Sequence, residues 1–342
     1  MKAMVLREYG APLSLEEVPK PEPGRDEVVL KVSHCGVCGT DLKITGGMLR
    51  SIITLPHVPG HEIVGTVDSV GTDVRGIKEG DRGVVYFYVG CGVCAMCRSG
   101  RENICPSVVR PGFERPGGFA EYVHLPAYNL CTYGGTIVGE KMAVLPDAIA
   151  TSYHALKSVA SLRIGQSVLI AGIGGLGIHA VQIAKYMGCT VIGTTRRPEV
   201  RRKALEFGAD LVVNPEESDV REAVMRFTGG RGVDAVIENV GTVETMKWSI
   251  PSLARGGTCV MVGYDPQNPV GVNGMSMHYN EWKLSGSRVS TRQELVEVIH
   301  LVESGKIDPV VTKVIGLEDL NVGLYELKDK KNVGRLVVRV AG

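Results

Sequence analysis

Up to about residue 147, apolar positions come in short runs cut by Gly and Pro. Glu27-Val28-Val29-Leu30-Lys31-Val32 and Ile63-Val64-Gly65-Thr66-Val67 are two of them. Runs of this length between turn residues predict short strands. Antiparallel strands of that kind predict a barrel-like, mainly β domain. After Thr151 the period changes. Ser167–Ala171 predicts a strand, a Gly-rich turn follows, and Ile178–Met187 has a helical pattern. Strand Thr190–Gly193, charged helix Arg197–Phe207, strand Leu211–Val213, helix Val220–Phe227 and strands Val233–Ile237 and Thr258–Val262 continue the alternation. Such β/α alternation predicts a parallel sheet with crossover helices. A helix Arg292–Ser304 and a strand Arg335–Val340 close the chain. The expected fold is α/β: a mainly β domain over residues 1–147, a doubly wound parallel-sheet domain over 148–288, and a return to the first domain over 289–342.

Composition narrows this picture. A length of 342 residues suits two domains. With 44% hydrophobic and 22% charged residues, the chain can bury a sizeable core. A net charge of +1 gives no global field to attract nucleic acid or an anionic membrane. The most apolar stretch, Val168 to Met187, is broken by His179, Gln182 and Lys185, too polar for a membrane span. The first eight residues carry charges where a signal peptide needs apolar residues, so the expected compartment is the cytoplasm. Nine cysteines, odd in number and clustered, argue for metal rather than a disulfide framework.

Three motifs carry chemistry. In Cys91-x2-Cys94-x2-Cys97-x7-Cys105, four thiolates are close enough to wrap one Zn²⁺ tetrahedrally. Such a closed site leaves no position for a substrate and is structural. The second set is Cys38-Gly39-Thr40-Asp41 with Gly60-His61-Glu62 and Asp147. It offers a thiolate, an imidazole and a carboxylate, and three protein ligands plus an open position make a catalytic zinc site. A hydrogen-bonded core role for His61, and thiol redox chemistry at Cys35-x-x-Cys38, are the alternatives. The third motif is Gly172-Ile173-Gly174-Gly175-Leu176-Gly177, between a predicted strand and an apolar helix. In that context glycines let the backbone approach a pyrophosphate at the helix N-terminus.

With these residues, the chain resembles the zinc-containing medium-chain dehydrogenase/reductase family, the alcohol dehydrogenase relatives. Gly36-Val37-Cys38-Gly39-Thr40-Asp41, Pro59-Gly60-His61-Glu62, the four-cysteine lobe, Gly117-Gly118-Phe119-Ala120-Glu121-Tyr122, the Gly172–Gly177 turn, Leu317-Glu318-Asp319-Leu320-Asn321 and Gly334-Arg335-Leu336-Val337-Val338 carry the likeness over essentially the whole chain. The resemblance implies a GroES-like catalytic domain, a Rossmann cofactor domain, two zinc ions per chain and a nicotinamide cofactor. It makes Cys38 and His61 zinc ligands. Asp147, before Thr151-Ser152-Tyr153-His154-Ala155-Leu156, takes the place where relatives usually have Cys, as in the bacterial and archaeal secondary-alcohol dehydrogenase branch. Glu62 would sit behind the metal or act as a displaceable fourth ligand, and Thr40 would take the alcohol's proton. Lys43 stands where relatives often have the His that passes this proton outward. Arg335 matches a residue that reaches the cofactor phosphates, and Phe87 a wall of the substrate pocket.

Cofactor preference is read from the second strand of the parallel sheet. An acid at its end would bind the ribose 2′-OH of NAD. Here the strand ends in Thr195-Arg196-Arg197, with no acid and two guanidiniums, which favours NADP. The expected function is hydride transfer between an alcohol, or its aldehyde or ketone, and NADP(H), by a homo-oligomer, a tetramer or else a dimer. A polyol, sugar or threonine dehydrogenase shares these motifs. A zinc-ribbon nucleic-acid-binding protein built on Cys91–Cys105 is the non-enzyme rival, and the near-zero net charge argues against it.

Overall fold

A long strand, Glu27–Val37, organises the first part of the computed structural model, which describes residues 1–329 and 332–340. Val28, Val29, Leu30 and Val32 are fully buried, as are Cys35 and Val37, so the strand runs five residues beyond the predicted end. It pairs antiparallel with Glu62–Val70, Tyr122–Pro126 and Arg335–Arg339. Arg82–Val85 and Leu130–Thr132 extend the sheet on one side, and Val311–Gly316 extends it on the other. This last strand lies parallel to Arg335–Arg339, joined to it through helix Leu320–Lys328. Neither element was expected.

Register brings three chain segments to one end of this sheet. Gly36 pairs with Glu62, and Val37 with Leu336. Cys38, His61, Glu62 and Arg335 therefore meet although up to 297 positions separate them.

The second part is a six-stranded parallel sheet. Its spatial order is Leu211–Val213, Thr190–Thr194, Ser167–Ala171, Val233–Glu238, Leu253–Met261, Lys283–Gly286. The chain order across the sheet is thus 3-2-1-4-5-6, the doubly wound dinucleotide-binding topology. Leu169, Ile192, Val213, Val224, Val236 and Cys259 form its core. Helices Gly177–Tyr186, Pro198–Glu206 and Val220–Phe227 match the predicted segments to within a residue or two at each end.

The two compact units are Met1–Asp147 with Thr291–Ser304 and Pro309–Gly342, and Ala148–Ser290 with Gly305–Asp308. Asp308 joins the second unit because the Gln182 side chain donates to its carbonyl and accepts its amide, at 2.9 and 2.8 Å. Residues 330, 331, 341 and 342 of the expected 289–342 segment lie outside the described residues.

Candidate metal and cofactor sites

Cys38 caps helix Gly39–Thr45, and Thr40 donates its amide to Cys38 Sγ at 3.5 Å. Asp41, in the first turn, accepts the Cys38 amide on Oδ2 at 2.8 Å, which fixes the cap from both sides. Gly60, at φ +97, has no room for a Cβ, which would come within 2.8 Å of the Phe119 amide nitrogen. The tight turn aims His61 at Cys38. Asp147 lies in the π-helical turn Leu145–Ile149, a geometry found often at functional sites. All four residues, Cys38, His61, Glu62 and Asp147, are buried, with one donor atom of each within 4.8 Å of the others. Cys38 Sγ stands 3.2 Å from Asp147 Oδ2, and His61 Nε2 stands 3.9 Å from the same oxygen. Zinc bonds of 2.0–2.3 Å at tetrahedral angles put donors roughly 3.3–3.8 Å apart, and the observed 3.2 and 3.9 Å lie just either side of that range, so small shifts let this set hold the ion. Thr40 Oγ1 is 3.6 Å from Cys38 Sγ. The His61 ring packs against Phe87 and Phe113 at centroid distances of 5.0 and 5.2 Å. Phe113 was not picked out from the sequence, because nothing local marks it.

The electrostatics suit a cation. Burial pushes His61 down, but the Asp41 charge and the polar groups around the ring lift it well above the usual range. Burial pushes the Glu62 carboxyl up, while Arg335 pulls against it. Arg335, which the resemblance gives to the cofactor phosphates, here turns toward the candidate metal donors. Its side chain is 5% exposed, and Nη2 lies 2.8 Å from Glu62 Oε1 and 2.7 Å from Asp147 Oδ2. The short strand register that carries it here cannot be read from a linear motif.

The four-cysteine lobe behaves as the spacing requires. Cys91 and Cys97 sulfurs are 4.0 Å apart, and Cys94 and Cys105 are 3.8 Å apart. These separations are far above a disulfide bond and match Zn–S bonds of about 2.3 Å in a tetrahedron. Amides of Cys94, Cys97 and Cys91 point at Cys91, Cys94 and Cys105 sulfurs, each at 3.4 Å. Amide bonds from Val93 and Cys94 pull Cys91 down to about 6, whereas burial pushes Cys97 up to about 12. Thiolates this close need a cation to be ionised together.

In the second unit the Gly-rich turn follows strand Ser167–Ala171. Gly172 has φ +84, and a Cβ at Gly177 would come to 2.4 Å from the Gly172 carbonyl. Gly174 has open space around it, and Gly175 and Leu176 complete the turn. No side chain caps helix Gly177–Tyr186, whose Ile178 amide donates to the Gly174 carbonyl and His179 amide to the Leu176 carbonyl, each at 3.0 Å. Asn239 donates to the Gly172 carbonyl at 3.3 Å. Buried Glu238 accepts the Val240 and Gly241 amides at 2.9 Å each and so shapes the facing loop. Sequence reasoning passed over this Glu238–Gly241 loop, though Gly241 after a strand was a signal. Thr195 accepts the Arg197 amide at 3.2 Å. Arg196 pairs with Glu216 at 3.1 Å and Arg197 with Glu199 at 2.6 Å.

Comparison with known families agrees with this geometry. The alcohol dehydrogenase GroES-like domain model matches residues 24–134, and the zinc-binding dehydrogenase model matches residues 175–304. The NAD-dependent alcohol dehydrogenase of Sulfolobus acidocaldarius is 37% identical over 99% of this chain and 100% of its own. The chain belongs to the zinc-containing alcohol dehydrogenase family. Within that family it is also similar to the D-arabinose 1-dehydrogenase (NADP(+)) of Saccharolobus solfataricus, 34% identical over 98% of this chain and 97% of that one. Among solved structures, the alcohol dehydrogenase of Aeropyrum pernix superimposes with a TM-score of 0.93 at 34% identity, covering 99% of this chain and 100% of that one. Among the described residues no helix is long and apolar enough to cross a membrane.

Proposed function

We propose that the chain is a zinc-dependent dehydrogenase that exchanges hydride between an alcohol, or its aldehyde or ketone, and NADP(H). The observation that carries this reading is the convergence of Cys38, His61 and Asp147 donors at metal-bond spacing in a buried site. Cys38, His61 and Asp147 hold the catalytic ion, and Cys91, Cys94, Cys97 and Cys105 hold a structural one. A zinc ion in the first site supplies Lewis acidity, which lowers the pKa of an alcohol and polarises a carbonyl. Cys38 and Asp147 together bring two negative charges, which neutralise a divalent ion. Asp41 fixes the orientation of His61, and Thr40, beside Cys38 Sγ, takes the substrate proton. Phe87 and Phe113 keep water from the His61 face. The Gly172–Gly177 turn binds the cofactor pyrophosphate, and Arg196 and Arg197 bind its 2′-phosphate.

Metal analysis with a spectrophotometric screen of alcohols, polyols, sugars and ketones against both cofactors tests this. Two zinc ions per chain and turnover of an alcohol or its carbonyl form with NADP(H) support it. Protein with one zinc or none, or turnover confined to sugars, overturns it.

A further inference from the structure

The parallel-sheet unit holds a cavity of about 540 Å³ that the proposed chemistry does not use. That volume is in the range of small-molecule sites. Gly230 and Arg231 in its wall precede strand Val233–Glu238, Leu253 opens strand Leu253–Met261, and Trp282 precedes strand Lys283–Gly286. The cavity therefore lies at the N-terminal ends of the strands. The Gly172–Gly177 turn follows Ser167–Ala171 at the opposite, C-terminal ends, where doubly wound sheets bind their cofactors.

The inner wall is apolar. Met246 and Leu253 belong to the core of the sheet, and Ile250 and Trp282 pack against that core. Trp282 donates Nε1 to the Ala254 carbonyl at 2.9 Å, which holds the half-buried ring in place. The charged residues of the wall are all cations. They are Arg221, Arg231, Lys247 and Arg255, and no carboxylate lines the cavity among the described residues. Arg231 is tied to Asp234 at 2.8 Å and Lys247 to Glu244 at 3.1 Å. Arg221 and Arg255 differ. Arg221 donates Nε to the Pro251 carbonyl at 3.3 Å, and neither guanidinium has a carboxylate partner among the described residues. Guanidiniums without a counter-charge bind carboxylate and phosphate oxygens well. Beside an apolar wall they fit a ligand with an anionic head and an apolar body.

We propose that this cavity is a second small-molecule site, which binds an amphipathic organic anion, a carboxylate or a phosphate ester. The head lies on Arg221 and Arg255, and the body lies against Met246, Ile250 and Trp282. Nothing in this depends on the zinc chemistry.

Isothermal calorimetry tests it on the zinc-loaded protein, with NADP⁺ and NAD⁺ both at saturation so that the cofactor turn is filled. Phenylbutyrate and phenethyl phosphate carry the two kinds of head, and phenylbutyramide is the neutral match. One anion should bind per chain, and the amide should bind roughly tenfold more weakly or worse. Rising salt should weaken the anions alone. Whichever anion binds more tightly names the head group. Arg221→Ala with Arg255→Ala removes two exposed side chains and should weaken the anions roughly 10- to 100-fold. The chain has two tryptophans, so Trp248→Phe leaves Trp282 as the sole reporter, and its emission should change in step with binding. Equal affinity for amide and anions overturns the proposal. So does anion binding that survives the double variant, or that leaves Trp282 emission unmoved, and so does a failure of both anions to bind at millimolar concentration. The salt and amide comparisons use the unmodified chain and decide the matter even if a variant does not fold.

Discussion

Asp41 Oδ1 faces His61 Nδ1 across 3.5 Å, and both side chains are buried. The other carboxylate oxygen accepts the Cys38 amide, so one residue holds one metal donor of the proposed site and faces a second. A histidine ligand whose second nitrogen meets a carboxylate is held in one tautomer and made more basic. Asp41→Asn keeps an oxygen for the Cys38 amide and removes the charge beside His61. Zinc affinity, followed by competition with a chromogenic chelator, should fall roughly 10- to 100-fold at the catalytic site. The four-cysteine site should be untouched. Equal affinity in variant and wild type would show that Asp41 serves only the helix cap.

Cys94→Ser removes a sulfur that lies 3.8 Å from Cys105 and receives the Cys97 amide. Structural zinc supplies on the order of 10 kcal/mol to isolated fingers. Here the lobe is tied to the rest of the unit, since Glu102 accepts the Arg292 amide at 3.0 Å. A loss of a few kcal/mol is therefore expected, seen as a lower thermal midpoint together with one zinc fewer per chain. A strong chelator should bring wild-type protein to the same midpoint. An unchanged midpoint in the variant would mean that the lobe does not depend on metal.

The periodicity of the parallel sheet was plain in the sequence because its strands are apolar on both faces. Val168, Leu169 and Ile170 are all fully buried. The edge strand Lys283–Gly286 escaped notice for the opposite reason. Its Lys-Leu-Ser-Gly is largely solvent-facing and carries no apolar signature. The donors of the proposed metal site were legible because chemistry restricts which residues could serve there. Cys38, His61 and Asp147 offer a thiolate, an imidazole and a carboxylate. Arg335 was legible as important and illegible as to place. Its partners Glu62 and Asp147 are 273 and 188 positions away, and only strand register joins them. A local motif cannot encode that.

Asp234 ties the start of the parallel sheet together. Its carboxylate accepts the Ser167 amide at 2.8 Å and both ends of the Arg231 guanidinium at 2.8 Å each. These bonds, Arg231 first, hold its pKa at about 2 instead of 3.8. Because the folded value is the lower one, the stabilisation is complete above the unfolded value near 4. It is lost as pH falls toward 2. The site is partly open to solvent, so about 1 kcal/mol is expected after screening. Asp234→Asn should therefore be less stable than wild type in urea titrations at pH 6 to 7. The gap should narrow steadily below about pH 4. A gap that stays constant down to pH 2.5 would show that the amide loses something other than charge.

In the proposed reading cofactor choice turns on Arg196, whose guanidinium lies 3.1 Å from Glu216 with both side chains more than half exposed. Exposed pairs contribute little, so a dianionic 2′-phosphate should draw Arg196 away from Glu216. The competition still has a measurable side. Glu216→Gln frees the guanidinium and removes a repelling charge, so kcat/KM with NADPH should rise severalfold and that with NADH should stay the same. Thr195→Asp with Arg196→Ala does the reverse. The new carboxylate repels the phosphate and can accept a ribose hydroxyl. A lost hydrogen bond to a charged group costs roughly 1.5–3 kcal/mol, so efficiency with NADPH should fall about 10- to 100-fold. Both effects should shrink at high salt, since the groups are exposed. If wild-type protein clearly prefers NADH and Glu216→Gln changes neither cofactor's efficiency, Arg196 is a surface residue with no part in recognition.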